Sequence, residues 1–399
     1  MDFRFTPSDD VLKQEVADFV TKEWDPSGFD HSSISWDHVN DDADAITHAF
    51  KKKLVDKGWY TMHWPVEHGG QSVNIGTQLA YREAMAYAGA PAAVGGGLVA
   101  PVLMVIGQDW QQKEFLPQIA NADIEFSQGF SEPNAGSDLA GLQTRAVRDG
   151  DDYVLNGQKI WGTYRNKWMH ILVRTDPEAP KHRGITYLLA QLKDDAGEYV
   201  SGVTVRAIPD AGGRHRWDEL FMDNFRVPAR NIIGEENRGW YAAMTTLSFE
   251  RSNIEASARL TRVLEEYIEY CRRLKRRNRS GPLDSAVFRN ELANLRVDIE
   301  TLRTLSYQVA WMQSNGDIPQ KEASMTKLWG DSLDQTVHKQ LSRGLEDYGV
   351  LMPGNRRVPS PDDGLLNWRG YARLVLTIWG GTNEVQKNII AQRGLGLPR

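Results

Sequence analysis

A β-rich stretch lies between two helical stretches, and this order limits the fold of the chain more than any other feature of its sequence. Between about residues 125 and 236, short runs of β-branched and aromatic residues alternate with turns. On either side, apolar residues recur every three or four positions, which is typical of amphipathic helices. The irregular spacing of the short runs favours an antiparallel sheet or small barrel over a doubly wound α/β fold. We therefore predict an α+β protein with a helical domain at 1–123, a β domain at 124–236 and a helical bundle at 237–399.

Local patterns predict several individual elements. The predicted strands are 153–155, 168–173, 185–189 and 203–208. The dipeptide Asn156-Gly157 follows the first of these runs and is a strong signal for a hairpin turn. In the last helical stretch, a helix start at Asp284–Ser285 precedes an apolar stripe over residues 292–309.

Composition excludes several protein classes. The 399 residues include 47 Lys and Arg against 53 Asp and Glu, a formal charge of −6, so a chain that mainly coats nucleic acid is not expected. Cys271 is the sole cysteine, and the nine His show no metal-ligand spacing, so neither a disulfide nor a metal site is expected. No stretch approaches the ~18–20 apolar residues of a membrane span. The N-terminal sequence MDFRFTPSDD lacks the features of a signal or transit peptide, and we expect a cytoplasmic protein.

Three segments combine glycine with polar or aromatic side chains in patterns that suit a ligand site. The segment 126–138, which contains SQGFSEPNAGSD, brings hydroxyls and backbone donors together and suits an anionic or polar ring ligand. Residues 157–163 present an indole and a hydroxyl that suit a flat heterocycle. In 378–386, two glycines let the backbone approach a ligand, and Thr382 is placed to cap the helix that follows. Taken singly, an ordinary turn and a packed strand explain the first two patterns better.

The order and spacing of these motifs resemble the acyl-CoA dehydrogenase family over nearly the whole chain. The matching motifs are SEPNAGSD at 131–138, NGQKIWGT at 156–163, VRTD at 173–176, VP at 227–228 and GGTNEVQ at 380–386. The resemblance implies an N-terminal helical domain, a middle antiparallel β-barrel domain and a C-terminal four-helix bundle. It also implies an FAD cofactor between the last two domains, an acyl-CoA substrate and an electron-transferring flavoprotein as electron acceptor. Relatives assemble as homo- or hetero-oligomers, either dimers or tetramers.

The resemblance also implies cofactor contacts for individual residues of the β-rich stretch. Phe130 and Ser131 correspond to contacts with the isoalloxazine ring, and Ser137 corresponds to a contact on its phosphate side. Trp161 corresponds to a residue beside the ring, and Thr163 to a hydrogen-bond partner of its reactive nitrogen edge. These five residues are the cofactor site predicted for the middle domain.

The last helical stretch contributes the remaining implied contacts. Thr382 and Glu384 correspond to cofactor contacts of the third motif. Arg276, in the basic run 272–279, falls nearest to an Arg that contacts the FAD pyrophosphate of a neighbouring subunit in relatives, but an ordinary solvated helix end explains the run equally well. Glu346 stands where relatives carry a Gln near the adenine. An acidic residue there implies that the adenine side is rearranged or completed by an unlike partner subunit.

The catalytic base departs from the commonest family pattern. Many relatives carry a Glu at the position of Gly380, and glycine cannot act as a base. Relatives that act on isovaleryl, long-chain and steroid side-chain thioesters instead carry a Glu before an Arg on an earlier helix, which corresponds here to Glu250 and Arg251. We therefore predict Glu250 as the base, Arg251 as electrostatic support and the Gly380 amide as a donor to the thioester oxygen. The alternative for the first two is an ordinary Glu-Arg pair on a helix surface.

These inferences predict an FAD-dependent acyl-CoA dehydrogenase that desaturates a CoA thioester between the α- and β-carbons. The departures from the family pattern favour a bulky or branched acyl group. Two alternatives remain open: a non-catalytic structural subunit of a heteromeric acyl-CoA dehydrogenase, and a flavin monooxygenase or oxidase on the same scaffold.

Overall fold

Two units make up the chain, each with its own hydrophobic core. The computed structural model describes residues 5–25, 41–91, 97–211, 215–248, 253–277, 279–352 and 365–398. Unit 1 comprises Met1–Phe50, Val73–Ala92 and Arg251–Arg399, and unit 2 comprises Lys51–Ser72 and Ala93–Glu250. All the strands of the described residues belong to unit 2.

Helices occupy the first and last parts of the chain. Their bounds are α1 Pro7–Glu23, α2 Asp41–Asp56, α3 Ile75–Ala88, α4 Val99–Ile106, α5 Asp109–Ala120, α6 Gly239–Ser248, α7 Ile254–Arg276, α8 Ala286–Ser314, α9 Gln320–Gly344, α10 Leu365–Ala372 and α11 Asn383–Ile389. The predicted start at Ser285 is confirmed, because its Oγ accepts the Phe288 N–H at 3.2 Å as the N-cap of α8. A side-chain oxygen here replaces the missing intrahelical partner of a first-turn amide.

The strands form one seven-stranded sheet. Their bounds are β1 Phe126–Gly129, β2 Arg145–Asp149, β3 Asp152–Gly162, β4 Trp168–Arg174, β5 Ile185–Gln191, β6 Val203–Pro209 and β7 His215–Pro228. The strand order is β1-β4-β2-β3-β7-β6, and β5 pairs with β4. Most pairs are antiparallel, as predicted, whereas β1 and β2 each pair with β4 in parallel. The sheet is therefore mixed rather than purely antiparallel.

The hairpin predicted at Asn156-Gly157 is wrong. β3 continues through both residues, and its pairing with β7 shifts register between Leu155 and Gly157, which is a β-bulge. Gly157 has φ +150°, and Oδ1 of Asn156 accepts the Asn224 N–H of β7 at 2.9 Å. The conformational freedom that makes Asn-Gly a turn signal is used here to form a bulge inside a strand.

The hairpin turn between β2 and β3 lies at Gly150-Asp151. The register pairs Asp149 with Asp152, which leaves a two-residue loop. Gly150 has φ +62°, and two-residue hairpin loops favour glycine where φ is positive. The turn is thus six residues earlier than the sequence pattern predicted.

We expect Gly157→Ala to lower the free energy of unfolding by about 1–3 kcal/mol, since it adds backbone strain and an overpacked contact. A Cβ at this position would lie 2.8 Å from both Cα and Oγ1 of Thr144. Denaturant unfolding followed by tryptophan fluorescence measures the loss. Gly150→Ala is the matched control, because its φ is also positive but a Cβ there meets no atom within 4 Å, so a smaller loss is expected. Equal losses in the two variants would contradict the packing argument.

The core of unit 1 confirms the predicted stripe on α8. Leu292, Leu295, Ile299, Leu302 and Val309 are all buried on that helix. The first four pack against buried side chains of α7 and α9. Each fully buried aliphatic side chain contributes about 1.5–3 kcal/mol, so the stripe is a main source of the stability of the bundle.

Two further clusters form the core of unit 2. One contains apolar side chains of β3, β4, β5 and β7, such as Leu155, Ile171 and Leu220. The other joins β4 and β5 to α4 and α5, through residues such as Tyr187 and Phe115. Because β4 contributes to both clusters, it is fixed from two sides, and it gives the loops beside it a rigid support.

Candidate functional site

The first two motif segments lie side by side in unit 2. The Ile160 N–H of β3 donates to the Ser131 carbonyl at 3.0 Å. The Ser127 hydroxyl of β1 donates to the Thr163 carbonyl at 2.6 Å. The loop after β1 is thereby attached to the end of β3, and the sequence-predicted residues Phe130, Ser131, Trp161 and Thr163 belong to one connected structure.

A buried ion pair also joins these two segments. Nζ of Lys159, whose side chain is fully buried, donates to the Glu132 carboxylate at 2.8 Å and to the Phe130 carbonyl at 3.1 Å. The same carboxylate accepts the N–H groups of Gln143 at 2.7 Å and of Thr144 at 2.9 Å. Glu132 therefore ties the loop to β3 and to the start of β2.

The ionisation of the pair follows from its surroundings. Burial lowers the pKa of Lys159 to about 8, although the Glu132 carboxylate opposes this shift. Burial alone would raise the pKa of Glu132, but the Lys159 ammonium and the amide donors outweigh it and hold that pKa below its ordinary value. Both groups are charged at neutral pH, so the contact is an ion pair with hydrogen bonds to each partner.

Phe130 rests on a second buried pair. Its ring meets the rings of His170 and Tyr187 edge to face, with centroids 5.4 Å and 5.6 Å away. Nδ1 of His170 and the Tyr187 hydroxyl are 2.6 Å apart. Burial lowers the pKa of His170 to about 3, so the imidazole is neutral at physiological pH. The aromatic side chains fix the start of the loop without adding charge beneath it.

Trp161 and Thr163 face outward at the end of β3. Trp161 has φ +66°, and its side chain remains 55% exposed. A positive φ is uncommon in a bulky residue and costs about 1–2 kcal/mol, which is the kind of strain found at functional sites. Thr163 is also exposed. Both side chains are accessible to a ligand, and their assignment to a flat ring stays a prediction.

The far end of the loop has a different character. Ser137 is exposed, and the next residue, Asp138, pairs with Lys181 at 2.5 Å between Oδ2 and Nζ. Both side chains of this pair are more than half exposed, so it contributes little to stability. Ser137 remains accessible to a polar or charged ligand group.

The third motif segment forms a tight turn in unit 1. Gly380 and Gly381 have φ +60° and +92°, which side chains other than hydrogen disfavour. Thr382 then caps α11, as predicted, and its Oγ1 accepts the Val385 N–H at 3.2 Å. The Gly381 carbonyl accepts Nε2 of Gln386 at 3.0 Å. The Thr382 cap and the side-chain amide of Gln386 together fix the backbone at Gly380.

A polar pocket of about 480 Å³ adjoins this turn within unit 1. Its lining comprises Ser332, Gln335, Thr336 and Lys339 of α9 together with Thr377, Ile378, Thr382, Asn383 and Glu384. The lining supplies four hydroxyls, two amides, an ammonium and a carboxylate. Such a set suits a ligand with several hydroxyl or phosphate oxygens rather than an apolar one. The sequence-predicted Thr382 and Glu384 are both part of it.

The remaining predicted residues are either exposed or outside the described part of the chain. Arg276 ends α7 with a side chain 64% exposed and forms an ion pair with Glu269 of the same helix. Glu346 is exposed just after α9 and has φ +52°. Their assignment to the pyrophosphate and adenine stays a prediction. Glu250 and Arg251 lie outside the described residues.

Sequence reasoning missed four residues that support the first site segment. Glu132 and Lys159 stand inside the motifs SEPNAGSD and NGQKIWGT, so their positions were marked but their pairing was not. His170 and Tyr187 lie on predicted strands, where nothing in the local pattern distinguishes them from ordinary buried residues. Only the paired strands β4 and β5 bring the last two together.

Comparison with known proteins decides the family. Three family descriptions match in order: "Acyl-CoA dehydrogenase, N-terminal domain" at 6–123, "middle domain" at 127–225 and "C-terminal domain" at 237–395. The chain belongs to the acyl-CoA dehydrogenase family. Acyl-CoA dehydrogenases are oxidoreductases, and the predicted class of fold and enzyme is confirmed. The exact boundaries at 123 and 236 stay predictions.

Relatives match the acyl-CoA dehydrogenase chain over most or all of its length. Acyl-CoA dehydrogenase FadE26 of Mycobacterium tuberculosis is 33% identical over 100% of this chain and 99% of its own. Acyl-CoA dehydrogenase IpdE1 of the same organism is 34% identical over 88% of each chain. Among solved structures, "Tcur3481-Tcur3483 steroid ACAD" superimposes with a TM-score of 0.86 at 30% identity, covering 100% of both chains. The ChsE4-ChsE5 complex from Mycobacterium tuberculosis gives 0.84 at 32% identity, again covering 100% of both.

The described residues form neither a membrane-spanning helix nor a cluster suited to a metal ion. None of the helices there combines the length and apolar character of a membrane span. In the same residues, His, Cys, Asp and Glu side chains form no group of three that is arranged to hold a metal ion. Cys271 is buried, and burial raises the pKa of its thiol to about 11, so it is a poor nucleophile at neutral pH.

Proposed function

We propose that this chain is an FAD-dependent acyl-CoA dehydrogenase that forms an α,β-double bond in a CoA thioester. The observation that carries the proposal is the turn at Gly380–Thr382: two glycines of positive φ, a capped helix and an adjoining polar pocket. These are the positions at which the family resemblance implies thioester and cofactor contacts. An ordinary helix connection needs neither two consecutive glycines of positive φ nor a pocket of hydroxyls and amides.

The residues present fit an FAD. In unit 2, the exposed Trp161 offers a stacking surface, while Ser131 and Thr163 offer hydroxyls near it. In unit 1, Thr382 and Glu384 line a pocket whose hydroxyls and amides match ribityl and phosphate oxygens. When bound, the flavin supplies the acceptor for a hydride from the β-carbon of the substrate.

Further contacts complete the proposed cofactor site. Phe130 holds the loop against its aromatic support, and Ser137 reaches toward the phosphate side. Arg276 and Glu346 serve the pyrophosphate and adenine, from this subunit or a neighbouring one. Each of these assignments rests on the family resemblance together with the exposure or packing given above.

The proton chemistry is assigned to this chain's own residues. Glu250 removes the α-proton, and Arg251 stabilises the charge beside it. Gly380 keeps its amide although it lacks a side chain, and that N–H donates to the thioester oxygen where negative charge develops. A preorganised donor of this kind typically contributes about 10²–10³ in rate.

The substrate class and partners follow from the relatives. Both solved structures compared above carry two protein names, and the first is described as a steroid enzyme. We infer a bulky acyl thioester, of the steroid side-chain or branched class, and assembly with an identical or unlike chain. An electron-transferring flavoprotein would serve as the electron acceptor, as the family resemblance implies.

A thioester panel tests the function. We expect steroid-derived or branched thioesters to reduce the flavin under anaerobic conditions at least about 10-fold faster than straight short-chain ones, since pocket fit discriminates on this scale. Stopped-flow absorbance of the flavin-loaded protein, alone and co-purified with partner chains, measures the rates. A flavin that stays oxidised with every thioester supports the structural-subunit alternative. Turnover that consumes oxygen without an added electron acceptor supports the oxidase or monooxygenase.

A further inference from the structure

Lys327 connects helix α9 to the segment that ends at Gly380. Its Nζ donates to the Leu376 carbonyl at 3.1 Å. The same ammonium forms an ion pair with Asp331, one turn later on α9. The two side chains are only 22% and 10% exposed, so the contacts are mostly shielded from water. One cation thus links α9 to the backbone four residues before Gly380.

The stem of Lys327 also lies against Gly380. A Cβ added to Gly380 would find Cε of Lys327 as its nearest atom, at 3.3 Å, which is tighter than ordinary van der Waals contact. Lys327 therefore borders the space that a side chain at position 380 would enter. Where relatives carry a carboxylate, this chain has a bare backbone supported by a lysine from a neighbouring helix.

Lys327 contributes to this segment by fixing the position of its backbone rather than by adding net charge. Asp331 faces the ammonium and neutralises it. Burial raises the pKa of Asp331 to about 6, and Lys327 opposes that shift, so the carboxylate is ionised at neutral pH. A neutralised cation adds little field at a distance, but its hydrogen bonds still fix the Leu376 carbonyl.

The same turn of α9 holds the start of α7. Nδ2 of Asn253 donates to the Thr326 carbonyl at 3.0 Å, and Asn253 adopts φ +50°. Gly330 makes room for this amide, because a Cβ there would collide with it. Asn253 stands three residues after Glu250 in the sequence. Residues 326–331 of α9 therefore hold two backbone positions. One lies four residues before Gly380 in the sequence, and the other lies three residues after Glu250.

We propose that Lys327 is a positioning residue that holds the Gly380 amide in place for the thioester oxygen. The inference rests on the proposed function. Misplacing a reacting group by about 1 Å costs on the order of 100-fold in rate, so loss of this support has a measurable effect.

Lys327→Met tests the inference, because it keeps the aliphatic stem and removes the donors. In the FAD-loaded protein we expect unchanged flavin absorbance, about 10- to 100-fold slower anaerobic flavin reduction and little change in the thioester concentration for half-maximal rate. Amide hydrogen exchange in the peptide covering residues 376–382 should become faster. Lys327→Arg, which can bind the same acceptors, should restore both properties to within several-fold.

Lys321→Met is the matched control on the same helix, since Lys321 is exposed and pairs only with its neighbour Glu322 among the ion pairs described. It should leave both properties unchanged. Parent-like reduction in Lys327→Met, or an Arg variant as slow as the Met variant, would overturn the inference. A parent protein that binds FAD but is reduced by no thioester contradicts the proposed function alone. The exchange data then still decide whether Lys327 holds the segment.

Discussion

Glu250→Gln should retain FAD and lose anaerobic flavin reduction by acyl-CoA by about 10²–10⁴-fold, the usual contribution of a positioned base. The amide keeps the shape of the side chain but accepts no proton at neutral pH. Because Gly380 has no side chain, no carboxylate at that position takes over the step. Stopped-flow absorbance under anaerobic conditions measures the rate, and the flavin spectrum reports that the cofactor is still bound.

The assignment of the base depends on the contrast with a control substitution outside the proposed site. Glu266→Gln makes the same chemical change on an exposed face of α7, where the carboxylate is 3.8 Å from Arg262, and it should leave the rate unaltered. If Glu250→Gln is reduced at the parent rate, Glu250 is not the base and is a surface residue. If it loses its flavin, the residue serves binding, and the base has to be sought elsewhere.

The fold was largely predictable because its signals are local. The stripe on α8 and the Ser285 cap each depend on residues within one helix, and both predictions are confirmed. β4 and β5 were also predicted within two residues of their observed bounds. Strands β1, β2 and β7 are absent from the prediction, and Asn156-Gly157 forms a bulge rather than the predicted hairpin turn. A bulge and a turn need the same residue types, and only the partner strand determines which one forms.

In the candidate site, too, the local features were predictable from the sequence and the long-range contacts were not. Thr382 and the two glycines act within five residues of each other, so their roles as cap and tight turn follow from the sequence. The pairing of Glu132 with Lys159 joins residues 27 apart, and it depends on the loop after β1 folding back along β3. Sequence patterns mark which residues matter, whereas long-range supports such as Lys327 require the tertiary structure.

Lys159→Met is expected to lower the free energy of unfolding by about 3–5 kcal/mol, because it breaks a buried ion pair. The substitution removes the ammonium and leaves the Glu132 carboxylate, only 10% exposed, without its cation. The Phe130 carbonyl also loses a donor. Denaturant unfolding measures the loss, and weaker flavin retention should accompany it because Phe130 and Ser131 directly precede Glu132 in the loop.

The pH dependence separates an uncompensated charge from simple loss of packing. In the parent, the pKa of Glu132 is below its ordinary value, so ionisation of this carboxylate stabilises the fold above about pH 4–5, and the contribution is lost as pH falls. In Lys159→Met, burial without a cation raises that pKa, so the variant is least stable at neutral pH and its deficit shrinks as the carboxyl protonates. Packing loss alone would give a deficit that does not change with pH.

A second substitution and a surface control complete the test. Lys159→Met combined with Glu132→Gln removes the buried charge and should regain part of the lost stability. The stability of this double variant can still be measured if the single variant does not fold. Lys167→Met breaks an exposed pair with Asp195 and should have no measurable effect. A double variant as unstable as the sum of both single changes would mean that the two residues do not act as a pair. The loop and β3 would then be held by their other hydrogen bonds, such as those from the Ile160 N–H and the Ser127 hydroxyl.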